Sequence, residues 1–142
     1  MSKTSGLGAQ VMVDNTSGSA KDLSTDVTEF TISTPVALQD ITGVGRSAHE
    51  RLSVLADGSV SLKGVFDNGS SSLAHQVLSG VTSQTSTRTV QIAPTATSGG
   101  APYLAMETLF SGYTVTRSAT GDLTWDAPAQ LADGTVPTWT NS

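Results

Sequence analysis

The two histidines of the sequence, His49 and His75, belong to the residue type that most often binds a catalytic zinc ion. A zinc site needs three or four nitrogen, sulfur or carboxylate ligands, yet the sequence has no cysteine. Neither histidine lies in a His-x-x-x-His motif or beside a glutamate in a zinc-binding pattern. We therefore expect both to be ordinary loop or surface residues, and the sequence predicts no metal site and no cofactor.

Two pairs of aspartates at four-residue spacing, Asp22 with Asp26 and Asp122 with Asp126, could supply the acid and the base of a hydrolase. Only the first pair falls in a stretch that could form a helical turn, whereas the second flanks a predicted strand. Glycosidase clefts also need aromatic rings that stack on sugars, and aromatics make up 5% of the chain. The sequence has no Gly-x-Ser-x-Gly elbow. Solvated carboxylates are the favoured interpretation, and we expect no enzyme.

Composition limits the possible functions further. The length of 142 residues predicts one domain over 1–142, and 20 serines, 21 threonines and 14 glycines favour strands joined by turns. The net charge of −5 disfavours binding to phosphate backbones. Residues 1–8 carry one lysine and no apolar run, so we expect neither a secretory signal nor a membrane anchor, and synthesis as a soluble chain in the cytoplasm.

Alternation of apolar and polar residues predicts most elements as strands, first at Leu7 to Asp14 and repeatedly after Arg88. One short helix is predicted at about residues 71–79, where Leu73 and Val77 stand four apart. The chain after Pro128 is interpreted as a C-terminal extension, about 128–142. The predicted fold class is all-β, a sandwich or barrel with one flanking helix.

Two neighbouring segments are predicted from their glycines. The stretch 35–50 has no sustained period and is predicted to be a long loop, whereas Asp57-Gly58 between two strand-like runs predicts a β-hairpin over 51–67. In a tight turn, Leu55 would face Val60 on the apolar side. Leu52 and Val54 would then lie on the polar side. This conflict leaves two explanations open: a longer turn, or a partner that covers that side.

Several short motifs follow one another along the chain in a specific order. They are Asp22-Leu23-Ser24, the loop 38–45 with Asp40-Ile41-Thr42-Gly43-Val44-Gly45, the hairpin arm 55–67 ending in Gly64-Val65-Phe66-Asp67, and, more loosely, 113–116 and 121–125. This order resembles that of the tail tube (major tail) proteins of long-tailed bacteriophages, and the resemblance extends from Val11 to about Gly134.

The resemblance implies a β-sandwich protomer with a flanking helix. Six copies would close into a ring whose inner strands form a continuous β-barrel, and rings would stack into the tube through which the genome passes. The protein would then be a structural part of the virion tail, without an active site. Its partners would be further copies of itself and the tape measure, tail-tip and tail-terminator proteins, while DNA would pass without specific binding.

Within this scheme the sequence offers two sets of site residues. The apolar and glycine residues of the long loop are predicted to contact the neighbouring ring and to be mobile in the free monomer. Alternate polar residues of the hairpin arm are predicted to face the lumen, which six copies at −5 each would surround with −30 formal charges. The interface residues are Leu38, Ile41, Thr42, Gly43, Val44 and Gly45, and the lumen residues are Ser59, Ser61 and Lys63.

Two other functions stay open from sequence. One is a different virion component of similar size, such as a head decoration or tail-terminator protein. The other is a carbohydrate- or receptor-binding β-sandwich, for which Trp125 and Trp139 are the candidate stacking platform.

Overall fold

The computed structural model describes residues 7–15, 18–66, 73–95 and 102–140. Within these ranges the chain is built mainly from strands, with one α-helix and one 3-10 turn at Val81–Ser83. The elements are β1 (Gln10–Asp14), β2 (Ala20–Asp22), β3 (Val27–Ser33), β4 (Val36–Asp40), β5 (Arg51–Ala56), β6 (Ser59–Val65), α1 (Leu73–Leu78), β7 (Arg88–Ala93), β8 (Tyr103–Phe110), β9 (Thr114–Arg117), β10 (Leu123–Leu131) and β11 (Thr138–Thr140).

Nine strands form one antiparallel sheet in the order β2-β1-β7-β8-β10-β6-β3, with β11 on β8 and β9 on β10. The long strand β10 joins its two halves. Residues 123–126 pair with β9, residues 129–131 pair with β8, and β6 pairs along residues 124–130. We call β9-β10-β6-β3 the front sheet and β2-β1-β7-β8 with β11 the back sheet. The predicted all-β, sandwich-like class is confirmed.

The core lies between the two sheets and is filled by the alternate, inward-facing side chains of their strands. Val60 and Leu62 of β6 are buried, and Phe66 packs partly buried against the same cluster. The other large members are Val11, Val13, Leu23, Leu78, Val90, Ile92, Leu104, Met106, Phe110 and Trp125. The inward face predicted for β6 is therefore confirmed.

Helix α1 covers one end of this core with Ala74, Val77 and Leu78. Its predicted range of 71–79 agrees with the observed one, apart from residues 71 and 72, which lie outside the described ranges. Arg88 is buried beneath it and donates from Nη1 to the Val77 carbonyl at 2.6 Å. Burial lowers the pKa of this guanidinium, and the negative charge of Asp14 opposes that shift. No helix in the described ranges is long and apolar enough to cross a membrane.

The hairpin predicted around Asp57-Gly58 is wrong. β5 and β6 follow each other in the chain but do not pair, because β5 pairs with β4 and β6 pairs with β3 and β10. The Asp57 amide instead donates to the Pro35 carbonyl at 2.9 Å, and Gly58 does not have a positive φ. The loop predicted over 35–50 is accordingly too long: Val36–Asp40 is a strand, and the connection covers 41–50.

This pairing explains the register conflict in the sequence. The apolar residues of β5 do not have to match the alternation of β6, since the two strands lie in different sheets. Neither explanation left open is needed for the register, because β5 pairs with β4, and Leu52 and Val54 stay exposed in this chain.

Gly64, near the end of β6, lies where two other segments approach the backbone closely. A Cβ at this position would overlap the Asp26 carbonyl oxygen and would lie 2.8 Å from Nε1 of Trp125. The approach is created by an irregularity in β3, where the register against β6 shifts between Val27 and Glu29. Only glycine fits here.

Candidate assembly surfaces

The hairpin made by β4 and β5 is a separate two-stranded sheet. Its large apolar side chains are exposed, from 46% at Val36 to 84% at Leu55. An isolated two-stranded hairpin is only marginally stable in water, and exposed apolar surface of this extent marks an interaction site. The hairpin is therefore the first candidate assembly surface.

Strand pairing divides the hairpin into two unequal faces. Leu52 lies opposite Gln39, whereas Leu38 lies opposite Ser53 and Asp40 opposite Arg51, so Leu52 and Leu38 are on different faces. The register shifts between Val36 and Leu38 by one extra residue on β5, so Val36 shares the face of Leu38. We call the face containing Leu52 and Val54 the apolar hairpin face. Sequence reasoning noted that Leu52 and Val54 would need a cover, but it did not include them in the interface because it assigned β5 to the wrong partner.

The hairpin tip is held by a network around Asp40 and Thr42. The Thr42 hydroxyl donates to Oδ1 of Asp40 and accepts from the Glu50 amide at 2.8 Å. Nδ1 of His49 lies 3.2 Å from Oδ2 of Asp40, and Arg46 pairs with Glu50 at 2.8 Å. This network favours a tip that is formed before assembly over the mobile loop predicted from the glycines.

The predicted interface residues are placed together at the end of the hairpin. Ile41 is 48% exposed and Leu38 60% exposed, and Val44 projects fully into solvent. Gly43 and Gly45 flank Val44, and a Cβ at either position would meet no atom within 4 Å. Thr42 is half-buried, since it bonds within the tip. Leu38, Ile41 and Val44 thus form an exposed apolar surface at the end of the hairpin, whereas Thr42 stabilises the tip through its hydrogen bonds.

The tip network gives a prediction for Asp40. Hydrogen bonds from the Thr42 hydroxyl and the Thr42 amide hold the pKa of this exposed carboxyl below its usual value of 3.8. Because the pKa is lowered in the folded tip, the bonded conformation is favoured above pH 3.8 and weakens as the pH falls through the lowered value. We expect the carboxyl ¹³C signal of Asp40 to titrate below 3.8, and the variant Thr42→Val to move its midpoint upwards. A midpoint that does not move would contradict the network.

The second candidate surface is the outward face of the front sheet. Ser59, Ser61 and Lys63 alternate with the buried residues of β6, as predicted. Each is opposite a polar or small residue on the neighbouring strands. Hydroxyl groups dominate this face, which we call the hydroxyl face; they belong to Thr28, Thr31, Ser33, Ser59, Ser61, Thr114, Thr116 and Thr124.

One row of the hydroxyl face carries charge. Lys63 is directly opposite Glu29 on β3 and directly opposite Asp126 on β10. Both carboxylates were missed as site residues, because only the strand pairing brings them beside Lys63. The only local sign of their position was alternation along β10, which places Asp126 on the outward face because it follows the apolar Trp125.

The front sheet ends in two free strand edges. In the described part of the chain, no strand pairs with the side of β3 away from β6 or with the side of β9 away from β10. Such edges present unpaired N–H and C=O groups to any compatible strand. The hydroxyl face is thus bounded on both sides by edges that can pair.

The residues considered for catalysis make structural contacts. His49 bonds within the hairpin tip, and His75 lies against Phe66 with its Nδ1 3.1 Å from the Tyr113 hydroxyl. Asp26 accepts from the Ala74 amide at 3.2 Å, and Asp122 accepts from Thr120 in a turn. Among the described residues, no group of three potential ligands is placed to bind a metal ion.

The aromatic platform of the carbohydrate-binding alternative is not formed. Trp125 is 3% exposed and packs in the core against Gly64, whereas Trp139 is 44% exposed on β11. A platform made of both rings is excluded by the burial of one of them.

Comparison with known proteins identifies the fold. No protein-family model and no curated protein matches the chain. It is similar to a chain in the tail of an empty gene transfer agent (GTA) particle refined with C6 symmetry, with a TM-score of 0.69 at 14% identity, covering 94% of each chain. A chain in the native GTA virion matches with a TM-score of 0.67 at 12% identity, covering 92% of this chain and 95% of the other.

A third similar structure comes from a different assembly. It is a chain in the six-fold symmetrised baseplate of the anti-feeding prophage, with a TM-score of 0.65 at 13% identity, covering 99% of this chain and 96% of the other. The three similar chains come from a GTA virion, a GTA tail and a prophage baseplate. The chain therefore shares their fold over nearly its whole length.

Proposed function

We propose that this chain is the tube subunit of a phage or phage-like tail. Six copies close into a ring, the rings stack, and the genome passes through the channel. The role is structural and involves no catalysis. The fold shared with chains of six-fold tail and baseplate assemblies supports this proposal.

The observation that carries the proposal is the pair of free edges on the front sheet. β9 of one copy can pair with β3 of the next, which is a head-to-tail contact that closes into a ring. Each subunit then contributes the four strands of its front sheet to one continuous barrel. Ring closure covers both edges of the front sheet, which removes the hazard of uncontrolled pairing there.

In this arrangement the hydroxyl face lines the channel, because the other side of the front sheet is the core. Hydroxyl groups bind water and carry no charge, so they offer DNA phosphates no fixed counter-charge. The net charge of −5 per copy adds a repulsive field around the channel. Both features favour passage of DNA over retention.

The hairpin provides the contact between rings. It lies outside the sandwich. Its exposed side chains Leu38, Ile41 and Val44 become buried when a neighbouring ring docks. At the two ends of the tube the same surfaces are available to the tail-tip and tail-terminator proteins, and the tape measure protein is a further expected partner.

Negative-stain microscopy of the purified chain tests the proposal directly. We expect rings or tubes with six-fold symmetry and a stain-filled centre. Single rings that never stack would favour a tail-terminator role, and particles without a channel at any concentration would overturn the tube assignment.

The double variant Ile41→Ser and Val44→Ser tests the hairpin contact. Both side chains are exposed, so we expect the chain to keep its melting temperature within the error of the measurement, but to lose stacking. The readouts are thermal unfolding by circular dichroism and tube length by microscopy. Val136→Ser, which removes an apolar side chain that is 58% exposed on a different segment, is the matched control and should still form tubes. Normal tubes from the double variant would show that the tip does not mediate stacking.

A further inference from the structure

Lys63 is the one basic side chain on the hydroxyl face within the described part of the chain. β3 and β10 contain no lysine or arginine. Arg117 of β9 is opposite Leu123, next to the pair formed by Thr116 and Thr124, so it lies on the other side of the sheet. In a channel lined by this face, Lys63 is therefore the group to which a DNA phosphate would bind.

Two carboxylates enclose this lysine. Glu29 and Asp126 are its direct partners on the two neighbouring strands, and directly opposite side chains in antiparallel strands have Cβ atoms about 4.5–5.5 Å apart. The same three residues line one depression of about 390 Å³, together with threonines 28, 116 and 124. Their charged ends thus share one concave space.

Asp126 is the less exposed of the two carboxylates. Its Oδ1 atom is buried and has no hydrogen-bond partner, although it belongs to an outward-facing residue. A buried carboxylate oxygen without a donor is stabilised by positive charge in its surroundings, and Lys63 supplies that charge from the directly opposite position on β6.

We propose that Glu29 and Asp126 mask the charge of Lys63, so that the channel surface has no net positive site for the phosphates of duplex DNA. This inference rests on the proposed function, since it takes the hydroxyl face to be the channel wall. Each subunit contributes the row Glu29, Lys63 and Asp126, which carries a net charge of −1, at one height in the ring. Without the two carboxylates, six lysines at that height would form a belt that retains DNA.

The test compares DNA binding by four forms of the assembled protein. They are the native chain, Glu29→Gln with Asp126→Asn, the same pair with Lys63→Gln added, and a control with Asp122→Asn and Asp133→Asn. The control removes the same two charges from exposed turn positions outside the hydroxyl face. The probe is a short fluorescein-labelled DNA duplex, and the readout is fluorescence anisotropy.

We expect the Glu29→Gln, Asp126→Asn form to bind the duplex at least tenfold more tightly than the native form and the control. Adding Lys63→Gln should abolish the gain. If all six lysines of a ring engage phosphates, affinity should fall on the order of 10³-fold between about 50 and 200 mM salt. Equal binding by the double variant and the control would overturn the masking of Lys63.

Microscopy of each form separates this inference from the proposed function. Tubes that form normally but gain no DNA binding overturn the masking alone. If the native chain forms no rings, the tube assignment fails, and the same comparison on the monomer still tests whether a gain depends on Lys63. If the double variant does not fold, Glu29→Gln alone is measured, since Glu29 is exposed, and it should give a smaller gain that Lys63→Gln removes.

Discussion

Replacing Gly64 with alanine is expected to abolish the folded state. The new Cβ would overlap the Asp26 carbonyl and press on Trp125 at 2.8 Å and 2.9 Å. The carbonyl belongs to the backbone between Leu23 and β3, which is held by bonds from the amides of Asp26 and Val27 to the Leu23 carbonyl. Neither side can move without opening the contact between β3 and β6. Overpacking alone costs about 1–3 kcal/mol, and a backbone clash adds to it.

Circular dichroism and urea unfolding measure this effect. A typical domain has about 5–15 kcal/mol of stability, so we expect Gly64→Ala to be unfolded or to melt far below the native chain. Gly112→Ala is the matched control, because a Cβ there meets no atom within 4 Å and the φ of Gly112 is not positive. Its stability should change by no more than about 0.5 kcal/mol. Native-like melting of Gly64→Ala would show that β3 and Trp125 do not approach β6 as described.

Two adjacent aspartate substitutions in β6 should have opposite outcomes. Leu62 is completely buried, so Leu62→Asp would bury a carboxylate without a partner among apolar side chains, at a cost above about 4 kcal/mol. Ser61 is on the hydroxyl face, so Ser61→Asp leaves its charge in contact with solvent. We expect the first variant to be unfolded and the second to melt close to the native chain.

The comparison is informative because the two positions share a strand and differ only in side-chain direction. Near-native circular dichroism for Leu62→Asp, or unfolding of Ser61→Asp with Leu62→Asp intact, would show that the two faces of β6 are exchanged. The assembled Ser61→Asp form also allows microscopy of a ring with added negative charge in its channel.

Local alternation was enough to predict β6 and its two faces, since period-two patterns report which side of a strand is buried. It could not identify the partners of β6. Asp57-Gly58 is a strong local turn signal, and the only sign against it in the sequence is that Leu52 and Val54 would lie on the polar side of the hairpin. Strand pairing is settled by the whole sheet, and here β3 and β10 compete successfully for β6.

The residues of the candidate surfaces also fall into two groups, those that local sequence predicts and those that only strand pairing reveals. Ser59, Ser61 and Lys63 could be predicted from one strand, and Leu38, Ile41 and Val44 from apolar residues in a polar segment. Glu29 and Asp126 could not, because they meet Lys63 only through pairings between segments distant in sequence. The apolar hairpin face was likewise hidden until β5 was known to pair with β4.

The separate hairpin also affects the order in which a newly made chain folds. β4 and β5 are adjacent in the chain and pair locally across the connection 41–50, and hairpins form in about 1–10 μs. The sandwich cannot close before β7, β8 and β10, which are synthesised later, and such long-range pairing is slower. We therefore expect the hairpin to form while the sandwich is still open. The apolar hairpin face is then exposed on chains whose sandwich has not yet folded. In a cell that contains many such chains, the hairpin that later joins the rings can also cause premature association.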